Sequence, residues 1–307
     1  MSNLTRMQHY VWRKYLRAWA PQDRIWCLRA DNLFNPNLMN VAQERDFYKL
    51  HDLTIEEVQF LEGFCKGQRE PLRELNLRWV KYFTILFELQ RKLIAEGQAS
   101  VEIAHIIDRA AIEQEDSLHG WIEQGAVASL DALLAGDASF FNVAKQKTSF
   151  LYFLANQYTR TKKLKSKALE GPSKITAVNP KNIWNALSQI IATSLGQNLV
   201  AYGYQLYFLR PEGDEVFITG DQPVINLHGT YLAPTETPCE LDLYYPISPK
   251  LAVLIAVEPP ENSLLSDEEV RDYNRHIQLQ SHSMLFAHES SLLEPFRPDA
   301  HVLRAST

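Results

Sequence analysis

The stretch His9-Tyr10-Val11-Trp12-Arg13-Lys14-Tyr15-Leu16-Arg17 places one histidine, two arginines, a lysine and two phenols within nine residues. Read as a helix from His9 to Trp19 that Pro21 ends, it puts His9 and Arg13 on one face, which Arg17 extends by a turn. Histidine exchanges a proton near neutral pH and serves as a general acid or base. Arginine grips phosphate or carboxylate through paired N–H donors. The same residues also read as a surface amphipathic helix with solvated arginines and a histidine that caps a neighbouring backbone.

Three further segments carry polar chemistry. In Asn40-Val41-Ala42-Gln43-Glu44-Arg45-Asp46-Phe47-Tyr48, Glu44 can pair with a base or orient a histidine, and Tyr48 offers a phenol. The alternative is a polar loop that dips Phe47 and Tyr48 into the core. From Gln157 to Lys167 five basic residues fall within eight positions, and no acid intervenes between Ala138 and Leu169. That run can meet a phosphate backbone, or it can complement the dipole of a helix end. Gln157 and Arg160 precede the lysines and are the better site candidates. In Val216-Phe217-Ile218-Thr219-Gly220-Asp221-Gln222-Pro223-Val224 an apolar strand runs into an acid. Such an acid is placed either for catalysis or to close a turn by bonding to the backbone. The cluster Glu113-Gln114-Glu115-Asp116 reads as a charged helix end before it reads as a cation site. His276 and His282 are six apart on the expected closing helix, not on adjacent turns of one face. No P-loop, G-x-G-x-x-G, G-x-S-x-G or H-E-x-x-H signature is present.

The elements that must position these residues follow from pattern and punctuation. With 307 residues, 46% of them hydrophobic, the chain can build a substantial core. A formal charge of -6 gives the average surface no attraction for nucleic acid or anionic membrane, so any such contact needs a local basic patch. Cys27, Cys65 and Cys239 are far apart and read as buried, reduced thiols. No apolar stretch approaches the roughly 20 residues of a membrane-spanning helix, and no apolar signal core follows Met1. A cytoplasmic protein without membrane contact is expected.

Arg24 to Arg29 reads as a strand and Val41 to Tyr48 as a second strand or extended segment. The middle is helical. Thr54-x-x-Glu57 opens a helix to Cys65, Pro71 opens one to Ala95, and Ser100 caps Val101 to Glu115. Helices over Leu118–Ala135 and Ser139–Lys163 follow. Pro180 opens a helix ending near Gly196. Gln205–Arg210 and Glu215–Thr219 read as a hairpin, followed by strands at Val224–Leu227, Glu240–Tyr245 and Lys250–Val257. Tyr245 to Pro249 reads as a rigid turn, and Ser266 caps a last helix reaching His288. Helices followed by strands predict an α+β fold: a helical central block with a mostly antiparallel C-terminal sheet, joined by N-terminal strands. One domain over 1–307 is expected. A subdivision at Gly171-Pro172-Ser173 would leave a mainly helical 1–170 and a mainly sheet 173–294 with its closing helix.

These segments together resemble the bacterial family catalogued as domain of unknown function DUF4238. Its His-Tyr-Val-Pro-x-x-Tyr-Leu-Arg-x-Phe pattern reads here His9-Tyr10-Val11-Trp12 with Tyr15-Leu16-Arg17-Ala18-Trp19. Its Asn-x-Ala and Phe-Tyr pair read Asn40-Val41-Ala42 and Phe47-Tyr48, and its Gln-x-x-Arg-Thr reads Gln157 with Arg160-Thr161. Phe217-Ile218-Thr219-Gly220-Asp221-Gln222-Pro223 and Pro246-Ile247-Ser248-Pro249 match the remaining two. Trp12 stands in place of a proline, and Lys162 where a proline often follows Arg-Thr. The resemblance implies a shared fold and a shared polar site made of His9, Arg17, Tyr48, Gln157, Arg160 and Asp221.

The chemistry of that set points to a metal-independent enzyme acting on a phosphodiester, in nucleic acid or a nucleotide, with a toxin-like or phage-defence role as the conjectural setting. His9 is the expected acid or base, oriented by Asp221 or Glu44. Arg17 and Arg160 are expected to hold the anion, and Tyr48 and Gln157 to position it. No cofactor or metal is expected. The alternatives are a non-catalytic module that binds an anion or a protein, and a buried hydrogen-bond network with a structural role.

Overall fold

The computed structural model describes residues 6–170, 177–232, 236 and 238–298. The N-terminal segment enters as a short strand, β1 (Met7–His9), followed by a single helical turn, α1 (Arg13–Leu16), and a 3-10 turn at Arg17–Trp19. The continuous helix expected from His9 onward does not form. Trp12 is extended at φ -64 and ψ 122 and caps α1, so His9 belongs to a strand and Arg13 to a helix. Then come β2 (Trp26–Arg29), β3 (Asn32–Phe34) and β4 (Gln43–Arg45). β4 pairs antiparallel with β1, bringing Gln43 opposite His9 and Glu44 opposite Gln8.

The helical block contains α2 (Ile55–Lys66), α3 (Leu72–Ala95), α4 (Val101–Leu134), α5 (Ala144–Thr159), α6 (Lys162–Glu170) and α7 (Pro180–Ala201). The starts expected after Thr54, Pro71 and Ser100 and at Pro180 hold, whereas no helix starts at Leu118 and α5 begins at Ala144, after a 3-10 turn over Ser139–Asn142. Thr54 and Glu57 form a reciprocal capping box, and the Ser100 side chain accepts the Ile103 amide at 3.2 Å. Three of the expected ends in this block move. α4 is one helix of 34 residues, because its buried positions Ile107, Ala111, Glu115, His119, Ile122, Ala126 and Leu130 keep helical spacing straight through Asp116 and Ser117. The acidic cluster at 113–116 is therefore mid-helix, with Glu115 inside. α5 stops at Thr159 and α6 restarts at Lys162, although the expected helix ran to Lys163. The break falls where the Arg160 and Thr161 side chains are both buried. α7 runs past Gly196 to Ala201.

The strands of the C-terminal half are β5 (Gln205–Pro211), β6 (Thr219–Gly220), β7 (Ile225–Asn226), β8 (Leu243–Ser248), β9 (Leu251–Ala256) and β10 (Leu264–Leu265). α8 (Asp267–Gln280) and β11 (Met284–Ala287) close the described chain. One sheet has the order β10-β5-β9-β8-β7 and is antiparallel except for the β10–β5 pair. The other has the order β3-β2-β11-β6, and in it Met284 lies opposite Arg29. The N-terminal strands β2 and β3 thus join C-terminal ones, as expected of this α+β fold, while β1 and β4 form a two-stranded sheet of their own. The hairpin expected between Gln205–Arg210 and Glu215–Thr219 is absent, since β5 pairs with β9 instead. Tyr245 to Ser248 is strand, not turn. β7 pairs only with Leu243 and Tyr244, so Pro246 needs no N–H on that side of β8. α8 ends at Gln280, short of the expected His288, and the chain returns as the fully buried β11. Gly171-Pro172-Ser173, the expected linker, lies outside the described residues.

What docks the N-terminal segment is a small set of buried polar contacts. The Gln8 amide donates to the Ile112 carbonyl of α4 at 2.8 Å and accepts the Tyr48 amide at 2.8 Å. Tyr15 stacks on Tyr245 with ring centres 4.9 Å apart, and its hydroxyl meets Thr219 Oγ1 at 2.6 Å. The Trp19 indole donates to the Phe217 carbonyl at 2.9 Å. One cluster of buried residues accordingly draws members from the N-terminal segment, α4, α5 and the β8–β9 pair.

Gln8→Ala strands the buried Tyr48 amide and removes a second donor from the Ile112 carbonyl, which keeps its bond within α4. The expected outcome is a loss of about 1–3 kcal/mol in urea unfolding. An unchanged midpoint would mean that the segment is held by its aromatic contacts alone.

Candidate functional site

A cavity of about 370 Å³ opens between β1, α1, α4 and the α5–α6 break, with His9, Arg13, Arg17, His119, Glu123 and Arg160 among its walls. His9 Nδ1 lies 3.1 Å from the Val41 carbonyl. A carbonyl only accepts, so the ring proton sits on Nδ1 and the lone pair on Nε2. Burial, and then the charge of Arg13, push the imidazole down to about 4. His9 is therefore a neutral base at physiological pH. Arg13 and Arg17 are exposed at the rim, with Arg17 Nε 3.4 Å from Asp23.

The floor is Arg160, only 2% exposed. Its guanidinium donates to Glu123 of α4, and to Gln157 Oε1 at 3.1 Å. Burial opposes its charge, and Glu123 beside it outweighs that opposition. Arg160 Nε, the Gln157 amide nitrogen, His119 Nδ1 and the Tyr245 hydroxyl are buried with no hydrogen-bond partner among the described residues. Arg160 and His119 both face the cavity. Behind them, His119 Nε2 is 3.3 Å from Glu115 Oε1. This contact is not an ion pair. Burial drives the Glu115 carboxyl up to about 8 and the His119 imidazole down to about 3, so both are neutral at pH 7. The carboxyl proton then binds His119 Nε2 and leaves Nδ1 as a donor. Asp116, also on the wall, is raised chiefly by burial.

The residues expected at the site separate into three groups. His9, Arg17 and Arg160 line the cavity. Tyr48 and Gln157 support it from behind, the Tyr48 hydroxyl donating to the His9 carbonyl at 3.3 Å and its ring lying 4.6 Å from that of His119. Asp221 and Glu44 stand elsewhere. Both Asp221 oxygens are occupied: it accepts the His282 amide at 2.7 Å, the Ser283 amide at 3.0 Å and the Ser283 hydroxyl at 3.1 Å. Burial outweighs those bonds and raises its carboxyl. Asp221 thus takes the turn-closing option, and its grip on these amides is why α8 cannot continue toward His288. Glu44 pairs with Lys162 at 2.7 Å. The orienting role expected of either carboxylate belongs to the Val41 carbonyl.

The Arg-Thr and Asp-Gln-Pro motifs do meet, through Thr161 bonding Gln222 Oε1. His119 and Glu123 are additions that sequence reading passed over, and Glu115 was read there only as part of a charged helix end. Their signal was present: polar residues at four-residue intervals, Glu115, His119 and Glu123, on an otherwise apolar helical stripe. Of the three thiols, Cys27 and Cys65 are buried, whereas Cys239 is exposed. Among the described residues no group of three His, Cys, Asp or Glu is placed to hold a metal ion, and no helix is long and apolar enough to cross a membrane.

The family model described as a protein of unknown function (DUF4238) matches residues 7–291, and the chain belongs to that family. The matched span includes every wall residue named above. No curated protein and no solved structure matches the chain.

The buried groups titrate in opposite senses. Between its ordinary 4.5 and about 8, Glu115 keeps a proton in the folded state that the unfolded chain has released, so stability falls as pH rises through that window. Between 6.5 and about 4 the unfolded chain binds a proton that folded His9 does not, so stability falls as pH drops there. Glu115→Gln keeps the neutral form. Its stability relative to wild type should climb from about pH 5 to pH 8 and stay level below that range, as followed by thermal unfolding. A difference that is flat with pH would show Glu115 ionised in the fold.

Proposed function

We propose that this cavity binds a phosphate-bearing ligand and cleaves a phosphodiester without a metal, with His9 as base. The observation that carries the reading is the pairing of a neutral imidazole, its proton fixed on Nδ1 by Val41, with Arg13, Arg17 and Arg160 around one cavity. A pocket of this volume falls in the range that takes small ligands. The unpartnered donors on Arg160 and His119 call for an acceptor, and phosphate oxygens supply several.

In this reading His9 Nε2 takes a proton from water and the water oxygen bonds to phosphorus. The ester P–O bond breaks, and the departing oxygen is protonated by solvent. His9 returns its proton to solvent. The arginines neutralise the charge that develops on the phosphoryl oxygens. Nucleic acid or a nucleotide is the substrate class.

The same unpartnered donors favour a second reading, a non-catalytic receptor for the same anion. For Asp221, whose oxygens are all bonded to the 282–283 turn, the structural role is the better supported one.

An aryl phosphodiester assayed in the presence of a chelator separates the two readings. His9→Ala should lower kcat about a hundredfold or more with little change in KM, the range for loss of a general base. Arg17→Ala should instead raise KM. The acidic limb of kcat/KM should fall near 4, and Arg13→Gln should move it upward because a neighbouring cation is removed. Full turnover in His9→Ala would sink the base assignment. Ligand binding without turnover in wild type would leave the receptor.

A further inference from the structure

A second cavity, of about 340 Å³, is lined by β4, the segment that follows it and α6. Its walls carry Arg45, Lys49, His51, Lys162, Lys165 and Lys181. Only two carboxylates, Glu44 and Asp46, share it, and both are engaged: Glu44 with Lys162 at 2.7 Å and Asp46 with Arg6, whose Nε is 2.8 Å away. Lys49 reaches Asp108 at 2.6 Å. Among the described residues no carboxylate lies within ion-pair distance of Lys165 or Lys181.

Lys165 is built in, not draped on the surface. Its ammonium donates to the Phe47 carbonyl at 2.8 Å and sits 4.2 Å over the Phe47 ring, which leaves two donors unused. His51 registers the resulting field: after burial, the charges of Lys181, Lys165 and Lys49 push its imidazole down. In a chain whose net charge is -6, this recess gathers five Lys and Arg side chains, two of which, Lys165 and Lys181, have no ion-pair partner among the described residues.

The recess adjoins the first cavity. Gln8 lines the first cavity and its cross-strand partner Glu44 lines the second. Opposed residues in a ladder stand about 5 Å apart at Cα, so the walls of the two cavities meet at this pair. A chain of phosphates can enter both.

We propose that the lysine recess is a phosphate-backbone subsite, and that the ligand of this protein is a single strand of nucleic acid crossing the β1–β4 ribbon between the two cavities. This rests on the reading of the His9 cavity as a phosphodiester site. It makes the base act on one phosphate while the lysines hold a neighbouring one.

The test is fluorescence anisotropy with a labelled single-stranded oligonucleotide of about ten nucleotides, a length within usual single-strand site sizes, alongside a nucleoside monophosphate that competes at the His9 cavity. Lys49→Gln with Lys181→Gln should weaken oligonucleotide binding about tenfold and reduce the slope of log affinity against log salt by about one to two. Monophosphate affinity should be unchanged, and Lys49→Arg with Lys181→Arg should bind as wild type. Lys181→Gln alone, at an exposed position, repeats the test with no burden on folding.

Oligonucleotide affinity that is unchanged in the glutamine variants, or no tighter than that of the monophosphate in wild type, overturns the proposal while leaving the His9 reading intact. Equal competition by polyglutamate overturns it in favour of a general polyanion sink. Lysine-dependent oligonucleotide binding with no monophosphate binding and no turnover supports the subsite and removes the reading of the His9 cavity instead.

Discussion

A guanidinium buried to 2% exposure constrains everything near it. Arg160 cannot shed its proton, so the fold must supply a charge and acceptors. Glu123 supplies the charge from α4, and Gln157 supplies an acceptor one turn earlier on α5. The helix breaks at Arg160, and the next residue, Thr161, reaches Gln222 in the loop after β6. Gln222 in turn donates to the Tyr158 carbonyl at 3.1 Å and to the Val224 carbonyl at 2.7 Å. One buried cation thus stands beside the contacts that join α4, the α5–α6 break and the C-terminal strands, and it puts the floor of the cavity where they converge.

The other wall depends on docking of the N-terminal segment. A three-residue strand has little stability of its own. β1 is held because Gln8 bridges α4 and Tyr48 while Tyr15 and Trp19 anchor the following turn to the C-terminal half. Asp221 works one layer further back. By collecting the 282 and 283 amides it stops α8 and starts β11, the strand that carries β2 and through it β3. Gly220 is required beside it, because a Cβ there would meet Ser281 Oγ at 1.9 Å and the Met284 carbonyl at 3.1 Å.

Local signals were legible where local physics decides. The caps at Thr54, Ser100 and Ser266 fix helix starts through side chain–backbone bonds within three residues, and all three were readable. Helix ends set by distant partners were not, because the α5 break answers to Glu123 and Gln222, and the end of α8 to Asp221. The site divides in the same way. His9, Arg17 and Arg160 were recognisable by type and motif, but the assignment of Asp221 as partner to His9 required a proximity that spacing does not encode. His119 escaped notice because a histidine inside a long amphipathic helix looks like any other. Its meaning came from the unpartnered nitrogen and from the cavity it faces.

Burial also sets the electrostatic character of the cavity. The same desolvation that keeps His9 neutral down to about pH 4 keeps Glu115 protonated up to about pH 8 and raises Asp116. Glu123 is committed to Arg160. Arg160 and Glu123 offset each other, so the constant positive charge at the opening is that of Arg13 and Arg17. A cavity whose positive charge is constant and whose one oriented base is uncharged does not repel an approaching anion as pH varies, nor does the base compete with the arginines for it. Were His9 protonated at neutral pH it would be one more anion ligand and no base. Its withdrawal from solvent, reinforced by Arg13, is what separates the group that can act from the groups that can only hold.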